Sequence, residues 1–131
     1  MRLLLDTHVF LWWIMDDQQL PARVRALMAD GENELFLSAA SCWEIAIKTG
    51  IGKITLPSHP DAFIADQMTA NAVQGLPITA SHALQVFHLP THHRDPFDRM
   101  IVSQSQLENM PVITSDKLFH KYKVKTLWEN R

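Results

Sequence analysis

Two short apolar runs, each delivering the chain straight to an aspartate, set the tightest limit on the fold. Leu3-Leu4-Leu5 stops at Asp6, and Pro111-Val112-Ile113-Thr114 stops at Ser115-Asp116. An apolar run of this length with no polar alternation reads as a strand buried on both faces, which is the habit of a parallel sheet covered by helices. The chain between the runs supplies the helices. Residues 7–15 form one, with Asp6 or Thr7 placed to cap it, and Pro21 opens a second through residue 29. A short strand is expected at 34–37. A helix over 39–49 follows, capped by Ser38 or Ser41 and stopped by Gly50 and Gly52. Two further helical stretches, near 61–71 and 80–86, are parted by Gly75-Leu76-Pro77, and Asp95-Pro96 begins a helix running to about residue 108. Strands alternating with helices predict an α/β fold with a central parallel β-sheet flanked by helices, in which polar sites gather beyond the carboxyl ends of the strands.

Length and composition agree with one domain over 1–131. Of 131 residues, 47% are hydrophobic and 20% charged, which excludes intrinsic disorder. No apolar run approaches the ~20 residues that span a bilayer, and the three leucines before Asp6 are too few for a secretory leader. Cys42 is the sole cysteine, so neither an internal disulfide nor a multi-cysteine metal site is available, and a cytoplasmic protein with no membrane contact is expected. The net charge of −2 argues against nucleic-acid binding through bulk charge. The charge is uneven, however. Residues 117–131 carry Lys117, Lys121, Lys123, Lys125 and Arg131 against Glu129, so a basic tail follows an acidic body. Such a tail can steer a polyanion, or simply solvate a last helix or strand.

Four acids stand where this fold concentrates chemistry. Asp6 and Asp116 follow the two apolar strands, Glu44 lies within the apolar helix Ser41-Cys42-Trp43-Glu44-Ile45, and Asp98 lies in the first turn of the Pro96 helix. If the strands are parallel neighbours, Asp6 and Asp116 emerge on the same sheet edge, and the two helical acids complete a ring. Crowded carboxylates repel and raise one another's pKa unless a cation compensates. Oxygen donors select hard divalent ions such as Mg²⁺ or Mn²⁺, and such an ion can polarise a phosphodiester and activate water. Each acid also has a plainer role. Asp6 and Asp116 can cap, Asp98 can complement the helix dipole three residues after an Asp95 cap, and Glu44 can pair with Lys48 one turn on.

Together, Leu3-Leu4-Leu5-Asp6-Thr7-His8, Ser41-x-Trp43-Glu44-Ile45-x-x-Lys48, Asp95-Pro96-Phe97-Asp98-Arg99 and Ile113-Thr114-Ser115-Asp116 resemble the PIN-domain ribonucleases, above all the VapC-type toxins of bacterial toxin–antitoxin pairs. The order of the motifs and the intervals of 38, 54 and 18 residues between the acids carry the resemblance, which runs from residue 3 to about 127 and is loosest over 54–93. It implies a PIN-like three-layer fold with Asp6, Glu44, Asp98 and Asp116 around one or two Mg²⁺ or Mn²⁺ ions. Asp6 and Asp98 would be the main ligands, Glu44 would hold a second ion or orient water, and Asp116 would complete the site. Thr7 and Ser115 would fix the carboxylates. The implied reaction is hydrolysis of RNA phosphodiester bonds, leaving a 5′-phosphate and a 3′-hydroxyl. The implied partners are the RNA substrate, a small cognate antitoxin laying basic residues across the acidic groove, and a second copy of the chain in a homodimer.

The remaining features are expected to be structural or auxiliary. His92 and His93 lack helical ligand spacing and read as loop surface; Trp12, Trp13 and Trp43 read as core or subunit contacts, and Cys42 as a buried small residue. Arg99 can contact phosphate or pair with an acid, and Lys48 and Lys117 can touch the RNA backbone. Two other functions compete. An aspartate-based phosphoryl-transfer domain would want a second acid near the first, where His8 stands, and leaves Glu44 unexplained. A non-catalytic RNA- or protein-binding module of the same fold is distinguished by the absence of metal-dependent cleavage.

Overall fold

Alternation along the strands sorts the core into two halves. Strand β1 (Arg2–Leu5) sends Leu3 and Leu5 to one face of the sheet and Leu4 to the other, all three wholly buried. Strand β2 (Glu34–Ser38) divides in the same way, Leu35 and Leu37 against Phe36, and β4 (Val112–Ile113) sends Ile113 to the first face and Val112 to the second. Each buried leucine contributes about 1.5–3 kcal/mol by leaving water. This period of two is why the sheet needs helices on both sides.

Our computed structural model describes residues 1–128; Glu129 and Arg131, counted above in the charge of the tail, lie outside the described residues. On the first face, Val9 and Phe10 of α1 (Thr7–Ile14), Val24 and Met28 of α2 (Ala22–Ala29), Ile45 of α3 (Ala39–Gly50) and Ile64 of α4 (Pro60–Ala70) close over the sheet. The second face is covered by Ile101 and Val102 of α6 (Pro96–Glu108), joined by Leu89, Phe119 and Tyr122 from the connecting segments. Helix α5 (Ala80–Gln85) packs against α6, where the buried His82 meets Glu108 at 2.9 Å. Short 3-10 turns occupy Val86–His88 and Lys117–Lys121.

Among the described residues the five strands are all parallel, in the order β3-β2-β1-β4-β5, with β3 at Val73–Leu76 and β5 at Thr126–Leu127. The chain builds outward from β1 in one direction, then returns to its other side, so strand order reverses between β1 and β4. A crevice opens at such a switch point, beyond the carboxyl ends of the strands. Asp6 leaves β1 there and Asp116 follows β4, and the Asp6 N–H reaches Ile113 O at 3.0 Å. Strand β3 corrects the expected break at Gly75-Leu76: its pairing with β2, Leu37 opposite Gly75 and Ser38 opposite Leu76, overrides the local turn signal. No described helix is long and apolar enough to cross a membrane.

Caps set the two helices that carry the central acids. Ser38 caps α3 by accepting the Ala40 N–H at 3.0 Å, whereas Ser41 is buried inside the helix. Asp95 caps α6, its Oδ1 accepting Phe97 N–H at 2.7 Å and Asp98 N–H at 3.3 Å, with Pro96 in the first turn.

Candidate metal centre

The four acids reach one cleft of about 280 Å³, lined by Asp6, Glu44, Asp98 and Asp116 together with His8, Trp12, Lys48, Asp95 and Ser115. Strand ends deliver two of them and helices the other two. Trp43 of α3 sets its ring edge against Phe97 of α6, with centroids 5.3 Å apart, a contact that joins the two helices beside Glu44 and Asp98. Trp43 itself is 62% exposed, so of its two expected roles, core or subunit contact, the core one does not hold.

Asp6 has the backbone of a helix cap but makes no capping hydrogen bond; its Oδ2 accepts the Thr114 hydroxyl at 2.7 Å instead. Thr114 in turn accepts the Asp116 N–H at 3.0 Å. This corrects the expectation that Thr7 and Ser115 fix the carboxylates. The Thr7 hydroxyl donates to Ser41 Oγ at 2.8 Å, tying α1 to α3, and Ser115 is exposed at the mouth of the cleft. Strand alternation turns Thr114 inward and its neighbour Ser115 outward. Glu44 is 4% exposed and pairs with Lys48 Nζ at 2.5 Å, the one-turn pairing seen in the sequence.

Charge crowding marks the cleft. Burial first, then the negative charges of Asp6, Asp95, Glu44 and Asp116, push the Asp98 carboxyl up to about 8. The Asp6 carboxyl is also raised, chiefly by burial, against the Thr114 hydrogen bond and the His8 charge, which pull it down. Lys48 is held more firmly protonated by its bond to Glu44. A lysine already engaged by one acid leaves the other three undercompensated. Oxygen-rich donors in a negatively charged cleft fit a hard divalent cation such as Mg²⁺ or Mn²⁺. The tightest donor group among the described residues is His93, Asp98 and Asp116, each offering one ligand atom, all within 4.8 Å of one another.

His93 is the residue that sequence reasoning misplaced. It is 6% exposed, not loop surface, and its Nε2 lies 2.8 Å from Asp116 Oδ2. Its signal was not a helical interval: Asp116 is 23 positions away, and only the fold joins them. His92 is half-buried, edge-on to Tyr122 at 5.0 Å. Arg99 makes no ion pair with an acid among the described residues; its guanidinium donates to the Val86, Leu89 and Pro90 carbonyls and pins the loop ahead of α6. Lys117 is exposed beside Asp116. Cys42, expected to be buried, is half-exposed on an apolar groove with Ala46, Ile64, Ala65 and Met68.

Known proteins share this frame. The chain matches the PIN domain over residues 3–125. It is 36% identical over 58 residues to Ribonuclease VapC16 of Mycobacterium tuberculosis, a stretch covering 44% of this chain and 41% of that relative's length. The structure superposes on VapBC2 from Rickettsia felis, solved with a DNA fragment from its promoter, at a TM-score of 0.72 and 16% identity, covering 97% of this chain and 98% of that one. DNA-bound VapBC from Salmonella typhimurium gives a TM-score of 0.73 and 15% identity, covering 97% of each chain. With the family match spanning nearly its whole length, the chain belongs to the PIN-domain family.

Proposed function

We propose that the chain is an Mg²⁺- or Mn²⁺-dependent endoribonuclease that hydrolyses RNA phosphodiester bonds, and that it serves as the toxin of a type II toxin–antitoxin system. The observation that carries this reading is the convergence of Asp6, Glu44, Asp98 and Asp116 on one cleft at the switch point of the sheet. Membership of the PIN family, a relative named as a ribonuclease and structural neighbours solved as VapBC complexes support it.

Asp6, Asp98 and Asp116 would hold the ion, with Glu44 holding a second ion or orienting the attacking water. When bound, the ion supplies positive charge that polarises the phosphodiester and makes water more acidic. The chain's own part is positional. Thr114 holds Asp6 through its hydroxyl, and the Asp95 cap sets Asp98 in the first turn of α6. Lys48 pairs with Glu44 at 2.5 Å and has N–H donors left to offer a backbone phosphate. Lys117, exposed beside Asp116, would touch the RNA backbone.

The same reading brings three further expectations: a cognate small antitoxin whose basic C-terminal segment covers the cleft, a homodimer, and a cytoplasmic location with RNA. Trp43 and Ile47, exposed along α3, and Ile51 just past its end would supply apolar surface for a second copy. The test is cleavage of an end-labelled RNA panel with Mg²⁺ or Mn²⁺. Wild type is expected to leave 5′-phosphate ends, and Asp6→Asn to lose at least about 100-fold in rate, the scale of losing a group that stabilises transition-state charge. Cleavage undiminished by chelator or by that substitution would remove the metal-site reading. RNA binding with no cleavage under any ion would favour the non-catalytic module.

A further inference from the structure

We infer that Tyr122 and His93 form a hydrogen-bond relay of fixed polarity that presents an N–H to Asp116 and holds this carboxylate in place at the cleft. The inference deepens the proposed function and rests on its reading of Asp116 as an ion ligand. His93 and Tyr122 are then positioning residues, drawn from segments that the sequence motifs of the site do not include.

The polarity follows from what each group can donate. Tyr122 Oη accepts the His93 backbone N–H at 2.9 Å and stands 3.0 Å from His93 Nδ1. On the other side of the ring, Nε2 lies 2.8 Å from Asp116 Oδ2. An ionised carboxylate only accepts, so the ring hydrogen belongs on Nε2, which leaves Nδ1 as an acceptor for the tyrosine hydroxyl. The Asp116 end of the imidazole thus selects the tautomer, and the tyrosine hydroxyl, which can donate, matches it at Nδ1. The ring is also clamped. Tyr122 stacks on it at 5.5 Å with planes 16° apart, and Phe119 meets it edge-on at 4.9 Å. All three side chains are buried.

Asp116 is held at both oxygens, because Oδ1 accepts the Leu118 N–H at 2.9 Å. Each oxygen keeps a second lone pair for a ligand in the cleft. With its hydrogen directed at Asp116, Nε2 is not itself a ligand, although it lies among the closest donor atoms. The relay therefore keeps the centre an all-oxygen one, suited to Mg²⁺. Outer-shell partners of this kind typically account for 10–100-fold in metal affinity.

The full chain tests this in two measurements. Imidazole ¹⁵N spectra of the ion-free protein are expected to give one signal pattern for His93, with hydrogen on Nε2, and a mixture of tautomers in Asp116→Asn, whose amide can accept or donate. Calorimetric titration with Mn²⁺ is expected to show about 10–100-fold weaker binding in His93→Leu, with most of it restored in His93→Gln, whose amide supplies an N–H. A folded His93→Gln also separates lost positioning from lost folding. Unchanged Mn²⁺ affinity in His93→Leu would overturn the inference, and so would ¹⁴N coupling between the His93 ring and bound Mn²⁺, the mark of a direct ligand. A wild-type protein that bound no Mn²⁺ would instead overturn the proposed function, while the ¹⁵N pattern would still decide the relay.

Discussion

Thr114 donates its hydroxyl to Asp6 Oδ2 at 2.7 Å across 108 positions of sequence, and Thr114 Oγ1 in turn accepts the Asp116 N–H at 3.0 Å. One side chain thereby joins the ends of β1 and β4, where strand order reverses. Thr114→Val keeps the shape and deletes the hydroxyl. It should cost about 1–3 kcal/mol of stability, because a buried carboxylate and a backbone N–H both lose their partner. Urea unfolding of wild type and variant measures the difference; equal midpoints would show that the link carries no weight.

Stability of the ion-free protein should fall as pH rises. The Asp98 carboxyl, raised from 3.8 to about 8, holds its proton in the folded chain over a range where the unfolded chain has lost it. The folded state then binds more protons between those two values, so the stabilisation is fully present below about 4 and is lost as pH climbs through about 8. Asp98→Asn should flatten this slope and be more stable than wild type at pH 8 in chelator. Denaturant midpoints across the pH range, with chelator present, are the measurement; a slope of opposite sign would contradict the charge crowding inferred for the cleft.

Lys48→Met should destabilise the chain by about 1–3 kcal/mol, since Glu44, almost fully buried, would lose its counter-charge. Added Mg²⁺ should recover part of that loss by taking over the neutralisation. Thermal melts with and without the ion would reveal it. An equal loss in both conditions would place Glu44 outside the reach of the ion.

Much of this architecture was legible in the residues themselves. The runs at β1 and β4 announce buried parallel strands because nothing polar interrupts them, and parallel pairing then brings Asp6 and Asp116 to one edge. Asp95 and Pro96 mark the start of α6 through their capping chemistry. What escaped depends on contacts distant in sequence. Val73-Gln74-Gly75-Leu76 has a turn's composition and becomes a strand only because β2 offers it a ladder. Which of Thr114 and Ser115 faces Asp6 is decided by strand register, and two adjacent hydroxyls look alike beforehand. His93, which does lie in a loop, reads as surface because its partners, Asp116 and Tyr122, come from beyond β4. Arg99, beside a site acid, turns away because three carbonyls at the end of the preceding turn need donors.

Diffraction from crystals soaked in Mn²⁺, recorded at its absorption edge, tests most directly whether this cleft is a cation site. The account predicts an anomalous peak bounded by Asp6, Asp98 and Asp116, and none in Asp98→Asn treated alike. A saturated crystal with no peak in that cleft, or with Mn²⁺ bound only elsewhere, would contradict it.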